Sequence, residues 1–459
     1  MRRTPKLIAC ATLLGLLVPT GADLGDSDSA QARRRYVKRS TRLQPGLRYT
    51  RILDRVGPKR IKVLKVNPSV LTMDVELARD RLPGRETTSS MAERRNAVAA
   101  VNGTFGLPWG RPVGLFAEDS TLQASPLVWG NAFAMSSDRT STFIGHPGLS
   151  VSVDGGEEGP VFGVARWNTS EPHGRRVSGY TPAGGRFARP PSGACQARLA
   201  WTGVSTWSPD NAGVERTYAV DKVRCGDRAL RRKGETVVSA PPGTRGAKRI
   251  LSLSWGQVVD LTWSIGWPGV LDAIAGNPVL VADGRNIGYT CSTYFCRANP
   301  RTGIGVTPKG RILLVTVDGR QPGHSVGMTL REFGALFVSL NATSALNLDG
   351  GGSTTMVIDD EMVNRSSDPA GERDVSSSIL ILDGTDPEEP VLAPAVSSSS
   401  SGGGAIAISP LADPSVTDPA STGGLLDALE KGVLHHRKID LRPELDGIDD
   451  LFDAAVPGL

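Results

Sequence analysis

Residues 345–358, with the sequence ALNLDGGGSTTMVI, place three consecutive glycines between two short apolar segments. The flanking segments have the length and composition of β-strands. Consecutive glycines are costly in backbone entropy, so a loop of this kind indicates close approach or unusual backbone angles. We predict that its N–H groups approach an anion, with Asp349 at the strand end and Ser353 or Thr354 adding hydroxyl donors. The alternative is an ordinary tight turn; a Walker A loop is excluded because no lysine follows the glycines.

Strand patterns dominate the chain on both sides of this loop. Apolar residues alternate with polar ones from Leu71 to Leu77, which predicts a half-buried strand. The run from Ile312 to Val317 is continuously apolar and follows a Pro-Lys-Gly turn, which predicts a buried strand. Much of the region from Val151 to Leu261 has the pattern of short strands separated by Gly and Pro.

Two helices are indicated by capping boxes, at Ser90 to Glu93 and at Thr329 to Glu332. The second helix has one apolar face, which should pack on a sheet; its residues are Leu330, Phe333, Leu336, Phe337 and Leu340. These patterns together predict an α+β fold with a β-rich mixed sheet core, a few packing helices and a single large domain over residues 45–384.

Each capped helix is followed by a short apolar strand and a Gly-containing loop that begins with a polar residue. The first loop starts at Asn102 and the second at Asp349. This repeated order suggests a weak internal duplication, in which both loops emerge at corresponding strand ends and border one cleft.

The ends of the chain differ from this body in composition. A basic start and an apolar run from Leu7 to Val18 predict a signal peptide over residues 1–32, cleaved after Ala32, with Ala22 as the other choice. The run is too short to span a bilayer, so we expect no stable membrane insertion. A basic leader (33–44), a low-complexity linker (385–423) and an acidic amphipathic tail (424–459) complete the predicted organisation.

An exported protein carries its cysteines into an oxidising compartment, where an even number predicts disulfides. Loss of the signal peptide removes Cys10 and leaves four. We predict the pairs Cys195–Cys225 and Cys291–Cys296, because each pair is close in sequence; free buried thiols are the alternative. No Cys/His spacing of a zinc site is present in the sequence.

The net charge of +5 is unevenly distributed, with a cluster of arginines and lysines in the leader. We expect a secreted or extracytoplasmic protein whose leader contacts anionic cell-wall polymers, or is simply solvated. An exported protein is not expected to have a nucleic-acid partner.

Six segments, taken in chain order, carry a resemblance to a known family. They are VNGTF (101–105), AGNPVL (275–280), RTGIG (301–305), VDGR (317–320), GMTL (327–330) and NLDGGGST (347–354). Their sequence and order resemble the phosphodiester glycosidase family, and they cover the body but not the leader or the tail. The resemblance implies a secreted hydrolase that cleaves the glycosidic bond of sugar 1-phosphodiesters, in cell-envelope or extracellular glycans.

The same resemblance implies roles for individual residues. Arg301 would grip the phosphodiester through two hydrogen bonds, Asp349 would be the principal carboxylate, and Asp318 either a second acid or a structural residue. Further substrate contacts are implied at Asn102, Gly103, Gly276, Gly351, Gly352, Ser353, Thr354 and Arg320, with Arg373 as an additional phosphate contact. His324 stands where we expect an aromatic residue in the family, so it is either a proton carrier or a simple stacking or hydrogen-bonding substitute.

No cofactor is expected, and a divalent cation held by Asp349 and Asp318 has only a weak signal, since no histidine or third carboxylate accompanies them. Two other functions stay open. One is a non-catalytic protein that binds anionic wall glycans, and the other is a phosphodiesterase that cuts phosphorus–oxygen bonds.

Overall fold

The computed structural model describes residues 36–384, except 129, 170–173, 186–187, 208–212, 227–228 and 231–234. The predicted signal peptide, linker and acidic tail therefore lie outside the described residues, as does the first part of the basic leader.

Twenty-six strands are described, and their bounds in chain order are as follows. They are β1 (Tyr36–Gln44), β2 (Leu47–Asp54), β3 (Lys59–Val66), β4 (Thr72–Leu77), β5 (Ala99–Asn102), β6 (Phe116–Glu118), β7 (Thr121–Ala124), β8 (Ala132–Ser136), β9 (Thr142–Gly145), β10 (Ser150–Asp154), β11 (Val161–Gly163), β12 (Arg166–Trp167), β13 (Ser178–Tyr180), β14 (Cys195–Trp207), β15 (Gly213–Cys225), β16 (Thr236–Ala240), β17 (Val258–Ser264), β18 (Val270–Ala275), β19 (Val279–Ala282), β20 (Arg285–Asn286), β21 (Arg301–Val306), β22 (Ile312–Val317), β23 (Ser344–Asn347), β24 (Met356–Ile358), β25 (Glu361–Met362) and β26 (Ser377–Leu382). The described α-helices are α1 (Thr88–Arg94), α2 (Arg245–Leu251) and α3 (Leu330–Ser339).

These strands form four sheets. The first has the order β1-β2-β3-β22-β21-β23-β19-β20, and the second the order β25-β24-β5-β26-β4. The third is β7-β6-β18-β8-β9, and the fourth is β11-β10-β17-β15-β14-β16-β13-β12. Within the described residues every paired neighbour is antiparallel except β12 and β13. The prediction of a β-rich core with a few packing helices is confirmed.

The central core lies where the first three sheets meet. Leu64 and Leu314 of the first sheet, Val75 and Ile379 of the second, and Phe133 of the third belong to one buried cluster. The strand Ile312–Val317 was predicted with its observed bounds. Burial of these aliphatic and aromatic side chains on several sheets is the main stabilising term, and it holds the ends of the first two sheets together.

Helix α3 packs on the opposite face of the first sheet, and its capping box between Thr329 and Glu332 is confirmed. Its two phenylalanines lie directly over β21. A Cβ atom at Gly303 would come within 2.8 Å of Phe333, and one at Gly305 within 2.8 Å of Phe337. The glycines of the RTGIG segment are therefore required by helix packing.

The first helix begins earlier than predicted. Thr87 is its N-cap and accepts from the Ser90 N–H at 3.1 Å, so the predicted cap at Ser90 is wrong. The Ser90 hydroxyl instead donates to Glu86. Helix α2, capped by Thr244, was not predicted because Ala247 occupies the position where a capping box has Glu or Gln.

Two further expectations are corrected. Strand β4 is buried on both faces rather than one, because Arg94 and Arg95 at the end of α1 pair with its polar residues Asp74 and Glu76. Residues 36–44, assigned to the leader, form edge strand β1 and pair with β2. The two strands pair through their backbones across the Pro45-Gly46 turn, and this pairing is compatible with exposed basic side chains. Because those side chains give no apolar pattern, the strand was not predicted from the sequence.

Candidate active site

A cavity of about 420 Å³ lies where loops at the strand ends of the first and second sheets meet. It is lined mainly by residues in the ranges 105–110, 295–301, 349–353 and 368–376, together with Arg85 and Arg320. The two loops that the repeated order placed together are in direct contact. The Asp349 N–H donates to the Gly103 carbonyl at 3.2 Å, and residues that follow each contact line the cavity.

Asp349 is half-buried at the end of β23 and faces this cavity. Its Oδ1 accepts from the Gly350 N–H at 2.9 Å, and its backbone carbonyl accepts from Asn102 Nδ2 at 2.8 Å. Asn102 is fully buried, and its Oδ1 also accepts from the Thr302 hydroxyl and the Thr355 N–H. Asn102 therefore holds the backbone of Asp349 from behind and is not itself part of the cavity wall.

The glycine loop makes room for neighbouring groups. A Cβ atom at Gly351, whose φ is +59°, would lie 3.2 Å from both terminal nitrogens of Arg320, and one at Gly352 would lie 2.5 Å from an Arg373 nitrogen. The N–H groups of residues 350, 351, 353 and 354 are donated to protein oxygens. The expected cradle of amides around an anion is thus replaced by two guanidinium groups that lie against the glycines.

Both of these arginines are held in place by other side chains. Arg320 donates Nε to Asn299 at 3.0 Å and lies 5.1 Å from the centre of the Tyr294 ring. Its φ of +57° is unusual for a residue with a side chain and costs of order 1 kcal/mol, a strain often found at functional sites. Arg373 donates to Asp368 Oδ2 through two nitrogens, each at 2.9 Å. Two positive groups therefore share the cavity with the Asp349 carboxylate.

Arg301 is almost entirely buried, and its guanidinium group forms hydrogen bonds to a loop. Its Nε donates to the Met328 carbonyl at 2.9 Å, and one terminal nitrogen donates to the carbonyls of Phe295 and Arg297 at 2.6 and 2.7 Å. The side-on edge expected to grip a phosphate is thus engaged by carbonyls. Arg301 fixes the turn at residues 294–297, which supplies Phe295 to the cavity wall.

Asp318 and His324 lie outside the cavity wall. The Asp318 carboxylate, 1% exposed, contacts Lys62 Nζ and accepts the Arg365 N–H at 3.3 Å, while His324 Nε2 lies 2.8 Å from it. A buried carboxylate with these partners favours the structural alternative considered for Asp318, with His324 as its hydrogen-bonding partner.

Three of the remaining predicted contacts, Gly103, Gly276 and Thr354, lie behind the cavity wall. A Cβ atom at Gly276 would lie 2.4 Å from the Asn347 carbonyl, and one at Gly103 would lie 2.5 Å from the Ser377 hydroxyl. These glycines allow close packing of the strands, and Thr354 is buried. Ser353 does line the cavity.

Several wall residues were not predicted from the sequence. Phe105 and Phe295 pack with ring centres 6.1 Å apart and form an aromatic side of the cavity, opposite in character to Asp368 and Glu372. Phe105 belongs to a quoted segment, whereas Asp368 lies in a stretch with no motif. Both predicted disulfides, Cys195–Cys225 and Cys291–Cys296, are confirmed, and the second lies on the turn that Arg301 holds.

A second group of acids lies apart from this cavity wall. Carboxylate oxygens of Asp74, Asp119 and Asp272 lie within 4.8 Å of one another, and among the described residues no such group contains Asp349 or Asp318. Burial raises the pKa of Asp272 well above its usual value, with repulsion from Asp74 and Asp119 adding to it. Burial likewise raises the pKa of Asp74, to about 6.

The strand-rich fold carries a cavity in which an aspartate near a strand end lies beside two arginines. Residues 215–382 match the model of the phosphodiester glycosidase family, which confirms the resemblance of the motifs to that family. The matched range contains Asp349, Arg320 and Arg373 and begins after Asn102.

One curated protein shares part of the sequence, and two solved structures share the fold. The SPbeta prophage-derived uncharacterized protein YomE of Bacillus subtilis (strain 168) is 36% identical over 83 residues, which are 18% of this chain and 13% of that protein. A hypothetical protein from Synechocystis has a TM-score of 0.58 at 19% identity, covering 76% of this chain and 64% of its own.

A candidate exported protein of Burkholderia pseudomallei K96243 has a TM-score of 0.51 at 23% identity, over 71% of this chain and 74% of its own. The chain spans less than two thirds of the length of the Bacillus subtilis and Synechocystis proteins. Among the described residues, no helix is both long and apolar enough to cross a membrane.

Proposed function

We propose that the chain is an extracytoplasmic hydrolase that cleaves the bond between the anomeric carbon and the phosphodiester oxygen of sugar 1-phosphodiesters. The observation that carries this proposal is the placement of one carboxylate, Asp349, in the same cavity as the guanidinium groups of Arg320 and Arg373. The family match to residues 215–382 supports the reaction class.

The chemistry needs two functions from the protein. Cleavage at the anomeric carbon expels a phosphate monoester, whose developing charge requires fixed positive groups, and Arg320 and Arg373 supply them. The oxocarbenium-like centre requires a carboxylate that either attacks it or activates a water molecule, and Asp349 supplies that group. Asn102 positions the backbone of Asp349, and Arg301 holds the turn at 294–297, whose Tyr294 ring lies beside Arg320.

The location outside the cytoplasm is supported by two observations. The start of the chain has the pattern of an export signal, and the two disulfides are typical of an oxidising compartment. The similarity in fold to a candidate exported protein agrees with this location.

Hydrolysis in oxygen-18 water tests the reaction. A panel of sugar 1-phosphodiesters is incubated with the purified protein, and mass spectrometry locates the label in the products. We expect label on the sugar, since water replaces the phosphate at the anomeric carbon. Label in the phosphate product would establish phosphorus–oxygen cleavage instead and reject the proposal.

Substitution of Asp349 by Asn tests the assigned carboxylate. We expect a loss of turnover of at least about 10²-fold, the lower end of what a positioned acid or base contributes. Asp360→Asn is a matched control, because Asp360 is exposed at a turn with φ of 63°, where Asn is well tolerated. A folded Asp349→Asn variant with most of the wild-type rate would show that Asp349 is only a turn residue.

A further inference from the structure

The first three strands carry an unusual excess of positive charge. Residues 36–66 contain ten lysines and arginines and one acidic residue, Asp54, for a net charge of +9. Asp54 is 3% exposed, and its Oδ1 accepts the Val56 N–H. The exposed charge of this part of the sheet is therefore entirely positive.

The strand register places part of this charge on one face. Arg39 is paired with Arg51, and Arg51 with Lys62. Side chains of directly paired residues in antiparallel strands point to the same side of a sheet. Arg60 precedes Lys62 by two residues in β3 and so shares that side. We call Arg39, Arg51 and Arg60 the arginine strip.

The same row of the sheet leads, through the buried residues Lys62 and Thr316, to Thr302 behind the candidate active site. Lys62 is paired with Thr316, and Thr316 with Thr302, whose hydroxyl donates to Asn102 behind Asp349. With about 4.8 Å between neighbouring strands, Arg51 stands roughly 15 Å from Thr302 along this row. A second connection between the strip and the cavity passes through the end of β22. There the Asp318 N–H donates to the Arg60 carbonyl, and Arg320 of the cavity wall follows Asp318 by two residues.

The strip is not neutralised by the protein. Lys62 is paired with Asp318, but within the described part of the chain no carboxylate forms an ion pair with Arg39, Arg51 or Arg60. All three side chains are exposed. The backbone of Arg60 in the exposed positive strip is hydrogen-bonded to Asp318, two residues before the cavity residue Arg320. The strip is therefore complementary to an extended anion with one end in that cavity.

We propose that the arginine strip binds the continuation of the substrate, a linear polymer with a phosphodiester in each repeat, while its terminal sugar phosphodiester lies beside Asp349. This inference rests on the proposed function. The strip therefore lowers KM for polymeric substrates and has no effect on a substrate with a single phosphodiester.

Binding is measured separately from turnover, so that the two proposals can fail independently. The probe is a fluorescently labelled poly(glycerol phosphate) of about ten repeats, and its anisotropy is followed at low and at physiological salt. The test variant is Arg39→Gln/Arg51→Gln/Arg60→Gln. The matched control is Arg42→Gln/Arg48→Gln, because these two arginines are paired with each other and Arg48 with Lys65, on the opposite face of the same strands.

We expect the strip variant to bind about tenfold more weakly, the product of three modest surface contacts, and to show a smaller salt dependence. The control should retain most of the wild-type affinity. Equal losses in the two variants would overturn the proposal, because charge alone would then account for binding. Equal affinity for an oligodeoxythymidylate of the same length would also overturn it, since the surface would not distinguish this polymer from nucleic acid.

Kinetics separate this outcome from that of the proposed function. If a sugar 1-phosphodiester is hydrolysed, the strip variant should keep the wild-type kcat and KM for it while its KM for the polymer rises. If no sugar phosphodiester is hydrolysed, the proposed function fails, and the anisotropy comparison still decides whether the strip binds the polymer.

Discussion

Replacing Gly352 by Ala tests the arginine arrangement with a single methyl group. The new Cβ atom would lie 2.5 Å from a terminal nitrogen of Arg373 and 2.6 Å from its central carbon. Ordinary contacts are about 3.5 Å or longer, so the guanidinium group must move by roughly 1 Å. This movement disturbs both bonds to Asp368, each 2.9 Å long. Displacement of a positioning group by 1 Å can cost about 10²-fold in rate.

We therefore expect kcat/KM for a sugar 1-phosphodiester to fall about 10²-fold in Gly352→Ala, with a change in stability of no more than about 1 kcal/mol. Steady-state kinetics and thermal melts are compared for the two proteins. Gly163→Ala is the control, since Gly163 is exposed at a strand end and its added Cβ would be 3.8 Å from the nearest atom.

A double-mutant cycle with Arg373→Gln identifies the cause. If Gly352→Ala acts by displacing Arg373, the double variant should be no slower than Arg373→Gln alone. Wild-type activity in a folded Gly352→Ala protein would refute the reasoning, because stabilisation of the charge on the departing phosphate would then not depend on the position of Arg373.

Two further predictions concern buried charge. Arg301→Lys should lower stability by about 1–3 kcal/mol and raise KM, because a single ammonium group cannot serve the carbonyls of three residues; melts and kinetics check both, and unchanged values would show that the turn at 294–297 needs no anchor. Burial raises the pKa of Asp74 to about 6 and also raises the pKa of Asp272 well above its usual value, so the folded chain holds these protons at a pH where the unfolded chain has released them. Their stabilising contribution is complete below about pH 4 and is lost as the pH rises through 6 and above. Asp272→Asn should accordingly have a flatter dependence of Tm on pH between 5 and 8, and a Tm above the wild type's at pH 8; a dependence as steep as the wild type's would contradict the assignment.

Local chemistry made some of this structure predictable. The strand Ile312–Val317 and the capping box of α3 are specified by residues that lie next to one another in the chain. The disulfides could be predicted because each joins cysteines close in sequence. Asp349 was singled out because the three glycines that follow it indicate a close approach to the backbone, and because the family resemblance implies a carboxylate there.

The parts that were not predictable depend on contacts between distant segments. The alternation in β4 indicated one exposed face, but Arg94 and Arg95 cover the polar face through ion pairs that no periodicity reveals. The same holds for Arg301. Its position in a motif indicates that it is needed, but the motif does not show that its nitrogens donate to backbone carbonyls and not to a ligand.

The glycines show why a motif can locate a site and still mislead about its residues. A glycine required by a turn and a glycine required by close packing of another side chain look identical in a sequence. The side chain that packs there is not part of the motif. At Gly303 and Gly305 the neighbours are phenylalanines of α3, and at Gly352 the neighbour is Arg373, 21 residues further along the chain. The loop after Asp349 therefore marks where side chains from elsewhere must approach the backbone. In this cavity those side chains are the cationic groups of Arg320 and Arg373, which is why the proposed function assigns phosphate binding to them.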